Sequence, residues 1–157
     1  QFAKENGFYD ETNSRQPYET FYIQNISQLI GATCLHPQTV PVDPEGNGRY
    51  KYEVCDFFKD RVLYFVKIGK PNDFAYAIDQ AMLTLEKCEA GMGSLTLPGD
   101  LAVSPREFRM VLIFEGRAKM VEKWEDIFSI NFLIHLTELK RRLSNTDISL
   151  TIDFVYW

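Results

Sequence analysis

The stretch KYEVCDFFKDRVLYFVKIG, residues 51–69, contains two runs rich in β-branched and aromatic residues, separated by a short polar segment. Two such runs around a polar connection predict a β-hairpin. We place its first strand at residues 49–57 and its second at residues 62–68, with Lys59 and Asp60 in the connection. The hairpin therefore supplies two neighbouring strands of a sheet, and the rest of the fold is predicted around it.

Three helices are predicted around this hairpin, because apolar residues recur at helical spacing in three segments. The segments are residues 19–32, 74–88 and 127–143. Asn72 or Asp73 is placed to cap the second helix.

Further strands are predicted in the second half of the chain. Residues 107–114 form a strong apolar run, and residues 117–123 are placed to pair back on it. Residues 147–156 alternate apolar and polar side chains, which is typical of a half-buried strand. The Pro- and Gly-rich segments 36–48 and 90–104 are predicted to be loops.

The resulting order, α-β-β-α-β-(β)-α-β, predicts an α/β or α+β fold with a mixed β-sheet flanked by helices. The 157 residues suit one domain at 19–157, preceded by a polar arm at 1–18. The chain begins with Gln1 rather than Met, which is compatible with the C-terminal domain of a longer protein.

Net charge and hydropathy indicate how the chain could bind nucleic acid and whether it could bind a membrane. The net charge of −5 argues against a domain that only coats nucleic acid, so nucleic-acid binding would use a local basic patch. No apolar run reaches the roughly 18–20 residues that span a bilayer, and we expect no membrane partner.

Cysteine and histidine usage bears on location and on metal chemistry. Cys34, Cys55 and Cys88 are odd in number and share no CxxC spacing, which favours a reducing cytoplasm over a disulfide framework or a zinc site. Only His36 and His135 are present, which argues against a His-rich metal site or a His-based triad.

The chemistry candidates are Glu53, Asp56 and Lys67. Mg²⁺ prefers carboxylate oxygens, and a neighbouring lysine can position water and offset phosphate charge, so we expect Glu53 and Asp56 as metal ligands and Lys67 as the water-positioning base. This order, with a helix after the lysine strand, resembles the PD-(D/E)XK restriction-endonuclease-like fold. The resemblance implies metal-dependent nuclease activity, with Gln80 as a further catalytic residue and Asp79 as an auxiliary carboxylate.

Two features depart from that motif. The acidic residue expected two places before the lysine is Phe65 here. In a regular strand, Glu53 and Asp56 would also point to opposite faces. Asp56 therefore joins the site only through a bulge or a bend at the strand end.

A second resemblance covers about residues 50–81. YEVCDFF, VLYFVKIG and the AIDQA helix are similar to a family of sporadically distributed bacterial proteins of uncharacterised function, found near restriction and phage-defence genes. The matching positions are Glu53, Cys55, Asp56, Val66, Lys67 and Gln80. This resemblance implies a place in bacterial defence or DNA processing.

A basic group near the third strand and at the end of the last helix is the candidate for holding a phosphate backbone. Its members are Arg106, Arg109, Arg117, Lys119, Lys140, Arg141 and Arg142. Cations at a helix C-terminus also interact favourably with the helix dipole without any ligand. The alternative function is therefore a non-catalytic module that binds a protein partner or forms a homo-oligomer.

Overall fold

The computed structural model describes residues 18–42, 50–114, 127 and 129–156. This part of the chain is an α+β fold with three helices and a mixed five-stranded sheet. The helices are α1 at Tyr18–Leu29, α2 at Ala75–Ala90 and α3 at Ile130–Leu143.

Nine short or medium strands lie between and after these helices. In chain order they are β1 Thr33–Cys34, β2 Val40–Pro41, β3 Lys51–Tyr52, β4 Phe57–Lys59, β5 Val62–Gly69, β6 Leu95–Leu97, β7 Leu101–Val103, β8 Glu107–Phe114 and β9 Ser149–Tyr156. Two separate ribbons, β2–β3 and β6–β7, accompany the main sheet.

The main sheet has the order β1-β4-β5-β8-β9. Its first two pairings are antiparallel and its last two are parallel. Parallel neighbours need a long crossover connection, and α2 and α3 supply the helices of these two crossovers. The carboxyl ends of β5, β8 and β9 therefore lie at one edge of the sheet.

The core occupies both faces of this sheet, because strand side chains alternate between faces. Leu63 and Phe65 of β5 pack in the larger cluster with the buried residues of α2 and α3. Val66 packs in the smaller cluster with Tyr22 and Ile23 of α1. The described helices thus form layers on opposite sides of one sheet.

The predicted first strand at 49–57 is wrong as a continuous element. β3 pairs with β2 in a separate ribbon, and only β4 joins β5. Lys59 closes the ladder opposite Val62, so the connection is Asp60-Arg61 and not Lys59-Asp60. Both turn residues have positive φ, 49° and 68°, as a two-residue hairpin turn that follows the sheet twist requires.

Some predictions elsewhere are confirmed and others are corrected. The strand at 107–114 is confirmed at both ends, and the alternating strand is confirmed as β9. The predicted loop 90–104 contains the β6–β7 ribbon, since three-residue strands leave almost no periodicity. The predicted loop 36–48 likewise contributes β2.

The ends of the helices also differ from prediction. Neither Asn72 nor Asp73 caps α2: its N-cap is Phe74, which makes no side-chain cap bond. The Asp73 carboxylate instead accepts a hydrogen bond from the Lys70 amide at 2.8 Å. α3 begins at residue 130 because the Ser129 hydroxyl accepts the Phe132 amide.

The predicted pairing of residues 117–123 falls outside the described residues, as do residues 1–17 of the polar arm predicted at 1–18. The last residue of that arm, Tyr18, is instead the first residue of α1. None of the described helices has the length and apolar character needed to cross a bilayer.

Candidate functional site

The chain leaves regular strand geometry between β3 and β4, at residues 53–56. This break allows Glu53 and Asp56 to approach the same side chain, which a regular strand would forbid. His36 Nδ1 lies 3.1 Å from Glu53 Oε1 and 3.4 Å from Asp56 Oδ1. The expected bend at the strand end is therefore present. The side chain that Glu53 and Asp56 both contact is His36, which the sequence did not predict as part of the site.

His36 is held in place by backbone and side-chain contacts. The amides of Leu35 and His36 both donate to the Asp56 carbonyl oxygen at 2.9 Å, which extends the β1–β4 pairing past β1. On the other side of the ring, Nε2 lies 3.0 Å from the Thr20 hydroxyl of α1. The imidazole is thus fixed with Nδ1 toward the carboxylates.

The electrostatics of this cluster favour a positive charge on His36. Contact with Asp56, and then with Glu53, raises the pKa of His36 to about 10. His36 Nδ1 is shielded from solvent but does not meet hydrogen-bond geometry toward either oxygen, so both contacts are ion pairs. Burial raises the pKa of Asp56, while His36 and the Val66 amide act in the opposite direction.

Lys67 lies near the carboxyl end of β5 and contacts the first turn of α1. Its Nζ is 2.9 Å from Glu19 Oε1, and Glu19 Oε2 accepts the Ile68 amide at 2.9 Å. Glu19 therefore ties the lysine strand to α1. No sequence pattern indicated this carboxylate as part of the site.

Glu19, Glu53, Asp56 and Lys67 line a cleft of about 420 Å³ between β5, α2 and the first turn of α1. Its polar lining consists of Glu19, Glu53, Asp56, Lys67, Asp79 and Gln80, together with Tyr52 and Tyr76. The structure thus brings together Glu53, Asp56, Lys67, Asp79 and Gln80, the five residues proposed from sequence for catalysis, metal binding or an auxiliary role. Their roles remain predictions.

The two α2 residues in the lining differ in their contacts. Asp79 Oδ1 lies 2.6 Å from His135 Nδ1 of α3, so this carboxylate is already paired. The Gln80 Nε2 atom is shielded from solvent and has no hydrogen-bond partner among the described residues. Gln80 therefore brings a buried, unused donor to the lining of the cleft.

Phe65 occupies the position where the restriction-endonuclease-like motif has an acidic residue. Its ring is fully buried and packs on Phe108, with ring centroids 5.2 Å apart. This position contributes to the core and supplies no ligand.

The described members of the predicted phosphate-binding group lie at the other end of the sheet from the cleft. Arg106 and Arg109 are at the amino end of β8, and α3 returns to the same end before β9 begins. Three of these arginines already form ion pairs with carboxylates. The pairs are Arg109–Asp153 at 2.7 Å, Arg141–Glu138 at 2.6 Å and Arg142–Glu89 at 2.5 Å. Arg106 lines a different cavity of about 630 Å³, while Arg117 and Lys119 lie outside the described residues. The structure therefore does not bring Arg106, Arg109, Lys140, Arg141 and Arg142 to the cleft.

Within the part of the chain that the structure describes, one group of ligand atoms is close enough to bind a metal ion. Single atoms of His36, Glu53 and Asp56 all lie within 4.8 Å of one another. The two carboxylates fit the predicted oxygen ligation, but the third donor is nitrogen. This donor set departs from the all-oxygen environment that Mg²⁺ usually takes.

Comparison with protein-family models, curated proteins and solved structures finds no match for this chain. Its function is therefore inferred from the residues of the cleft.

Proposed function

We propose that this domain hydrolyses phosphodiester bonds in nucleic acid with the help of a divalent cation bound in the cleft. The observation that carries the proposal is the convergence of Glu53, Asp56 and Lys67, which come from two segments of the chain, on one cleft of about 420 Å³. Carboxylates beside a lysine are the groups that such hydrolysis requires.

The charges in the cleft support a role for a cation. Glu19, Glu53, Asp56 and Asp79 supply four carboxylates, while Lys67 and the His36 imidazolium supply positive charge. An excess of negative charge repels a phosphodiester and attracts a divalent ion. A cation held by the carboxylates would neutralise charge on the phosphate.

The contacts of Lys67 suggest how the attacking water is handled. Its ammonium orients the water and offsets negative charge on the phosphate, and the adjacent Glu19 carboxylate accepts the proton that the water loses. The new P–O bond forms as the bond to the leaving oxygen breaks, and the leaving oxygen takes a proton from solvent. A positioned group of this kind contributes about 10²–10⁴-fold to a rate.

Two features support a restriction-endonuclease-like architecture. The mixed sheet has helix α2 directly after β5, the strand that carries Lys67. Glu19 places a carboxylate beside Lys67, where the substitution by Phe65 leaves the motif without its acid. Five of the six positions that match the phage-defence-associated family line this cleft, which favours a role in bacterial defence or DNA processing; they are Glu53, Asp56, Val66, Lys67 and Gln80.

One observation favours the alternative, a non-catalytic module that binds a protein partner or a second copy. The His36 imidazolium already balances Glu53 and Asp56 without any added ion. A site that has lost its catalytic activity and keeps only the ion pairs of His36 with Glu53 and Asp56 would show the same contacts.

A cleavage assay separates the two functions. Purified protein is incubated with end-labelled single- and double-stranded DNA and RNA, with MgCl₂ or MnCl₂. We expect cleavage that Lys67→Ala lowers by about 10²-fold or more, with intact circular dichroism. Lys51→Ala, an exposed lysine of β3, is the matched control and retains cleavage. Equal cleavage by Lys67→Ala and the wild type would overturn the proposal.

A further inference from the structure

We propose that His36, Glu53 and Asp56 bind a divalent first-row transition metal ion in preference to Mg²⁺. This inference deepens the proposed function, and the catalytic use of the ion rests on it. The binding site itself stands on the contacts of these three side chains.

The distances fit one shared ion. Two ligands that bind an ion at about 2.1 Å in tetrahedral geometry lie about 3.4 Å apart. His36 Nδ1 lies 3.1 Å from Glu53 Oε1 and 3.4 Å from Asp56 Oδ1. The three ligand atoms, one from each side chain, all lie within 4.8 Å of one another, so an ion between them would draw the two carboxylates toward it.

The donor types decide which ion is preferred. One imidazole nitrogen with two carboxylate oxygens suits ions such as Mn²⁺ and Zn²⁺. Mg²⁺ favours oxygen ligands, retains several waters and demands near-octahedral geometry. A buried nitrogen at the centre of the cluster therefore works against Mg²⁺.

The other contacts of His36 and Asp56 leave the atoms that would bind the ion, Nδ1 and Oδ1, available to it. His36 Nε2 lies 3.0 Å from the Thr20 hydroxyl. In the tautomer that carries its hydrogen on Nε2, this hydroxyl accepts the hydrogen, and the Nδ1 lone pair is then available to an ion. Asp56 uses Oδ2 to accept the Val66 amide at 2.7 Å, and its Oδ1 faces His36. His36 and Asp56 are thus each oriented by a contact that the ion does not replace.

Gln80 gives an independent indication of a ligand in this cleft. Its Nε2 donor is shielded from solvent and unpartnered among the described residues, and buried donors are rarely left unsatisfied. An acceptor from a hydrated ion or from the substrate would satisfy it.

The test is calorimetric titration of chelator-treated protein with ZnCl₂, MnCl₂ and MgCl₂. We expect Zn²⁺ and Mn²⁺ to bind at least about 10-fold more tightly than Mg²⁺. His36→Ala should remove that preference. Thr20→Val should weaken Zn²⁺ binding by about 10–100-fold, since it frees the imidazole from its orienting partner. His135→Ala, which removes the other histidine, is the matched control and should bind as the wild type does.

The outcomes are separable from those of the cleavage assay. Equal affinity for Mg²⁺ and the transition metals, or unchanged Zn²⁺ binding in both His36→Ala and Thr20→Val, would overturn the inference. If His36→Ala does not fold, Thr20→Val alone decides. Metal binding as expected without cleavage would overturn the proposed function only. Cleavage by the wild type together with equal affinity for Zn²⁺, Mn²⁺ and Mg²⁺ would overturn this inference only.

Discussion

Asp56 combines deep burial with several contacts, which makes it the residue on which the cleft depends most. It is 3% exposed, its carboxylate pairs with His36, and its Oδ2 accepts the Val66 amide at 2.7 Å. Removing one member of a buried pair leaves the other charge without compensation. The cost of such a change is therefore larger than that of an exposed ion pair.

We expect Asp56→Ala to lower the free energy of unfolding by about 3–5 kcal/mol, because the buried Val66 amide loses its acceptor and His36 keeps only Glu53 as a charged partner. Asp56→Asn keeps an acceptor for the amide and should cost about 1–3 kcal/mol. Glu53→Gln, at a side chain that is 28% exposed, is the control and should cost less than about 1 kcal/mol. Urea unfolding measures all three, and an Asp56→Ala protein as stable as Glu53→Gln would contradict the account.

The three cysteines should differ sharply in reactivity. Cys55 and Cys88 are buried, and burial raises the pKa of Cys55 well above its ordinary value and that of Cys88 to about 12. The thiolate is the reactive form, so both are protected at pH 8. Iodoacetamide should label Cys34, which is half-buried, well before the other two. Peptide mass spectrometry of native and guanidinium-treated protein checks this, and equal native labelling of all three would refute it.

At this scale, the sequence could predict only part of the cleft. Glu53, Asp56 and Lys67 were identifiable from residue type and position within one segment, and Gln80 through the family resemblance alone. His36 and Glu19 were not, because they enter through the β1–β4 pairing and through α1. The Glu19–Lys67 contact, for example, spans 48 residues. Long-range pairing of this kind leaves no local pattern.

At the scale of elements, the start of α3 depends on Ser129. Its side chain is buried and accepts the Phe132 amide at 3.2 Å, which satisfies one of the free donors at the helix start. Ser129→Ala should therefore cost about 1 kcal/mol of unfolding free energy. Ser144→Ala, at the exposed C-terminal end of α3, is the control and should change stability little. Equal thermal midpoints for the two variants would argue against the cap.

The predictability of each element follows from its length and surroundings. β8 was predicted correctly because residues 110–114 are a continuous apolar run, which is typical of a strand covered on both faces. β6 and β7 have three residues each in a Gly- and Pro-rich segment, which is too short to show a period. The break at residues 53–56 was expected only because Glu53 and Asp56 could not otherwise share one site. The pattern of apolar residues gives no sign that the strand is interrupted there.

At the scale of the whole molecule, one sheet carries a cluster on each face, so both layers should unfold together. Ile23 of α1 and Leu139 of α3 are fully buried on opposite faces. Ile23→Ala and Leu139→Ala should each cost about 2–5 kcal/mol and shift the same single transition. Circular dichroism in the far and near ultraviolet measures this. Two separate transitions, each shifted by only one variant, would show that the layers unfold independently.

The central claim is that the bend at residues 53–56 creates a metal site with His36. An anomalous difference map from crystals soaked in MnCl₂ tests it most directly. We predict a peak about 2.0–2.4 Å from His36 Nδ1 and from one oxygen each of Glu53 and Asp56. A map in which manganese binds elsewhere, or in which the His36 imidazole still contacts both carboxylates without a peak, would contradict the claim.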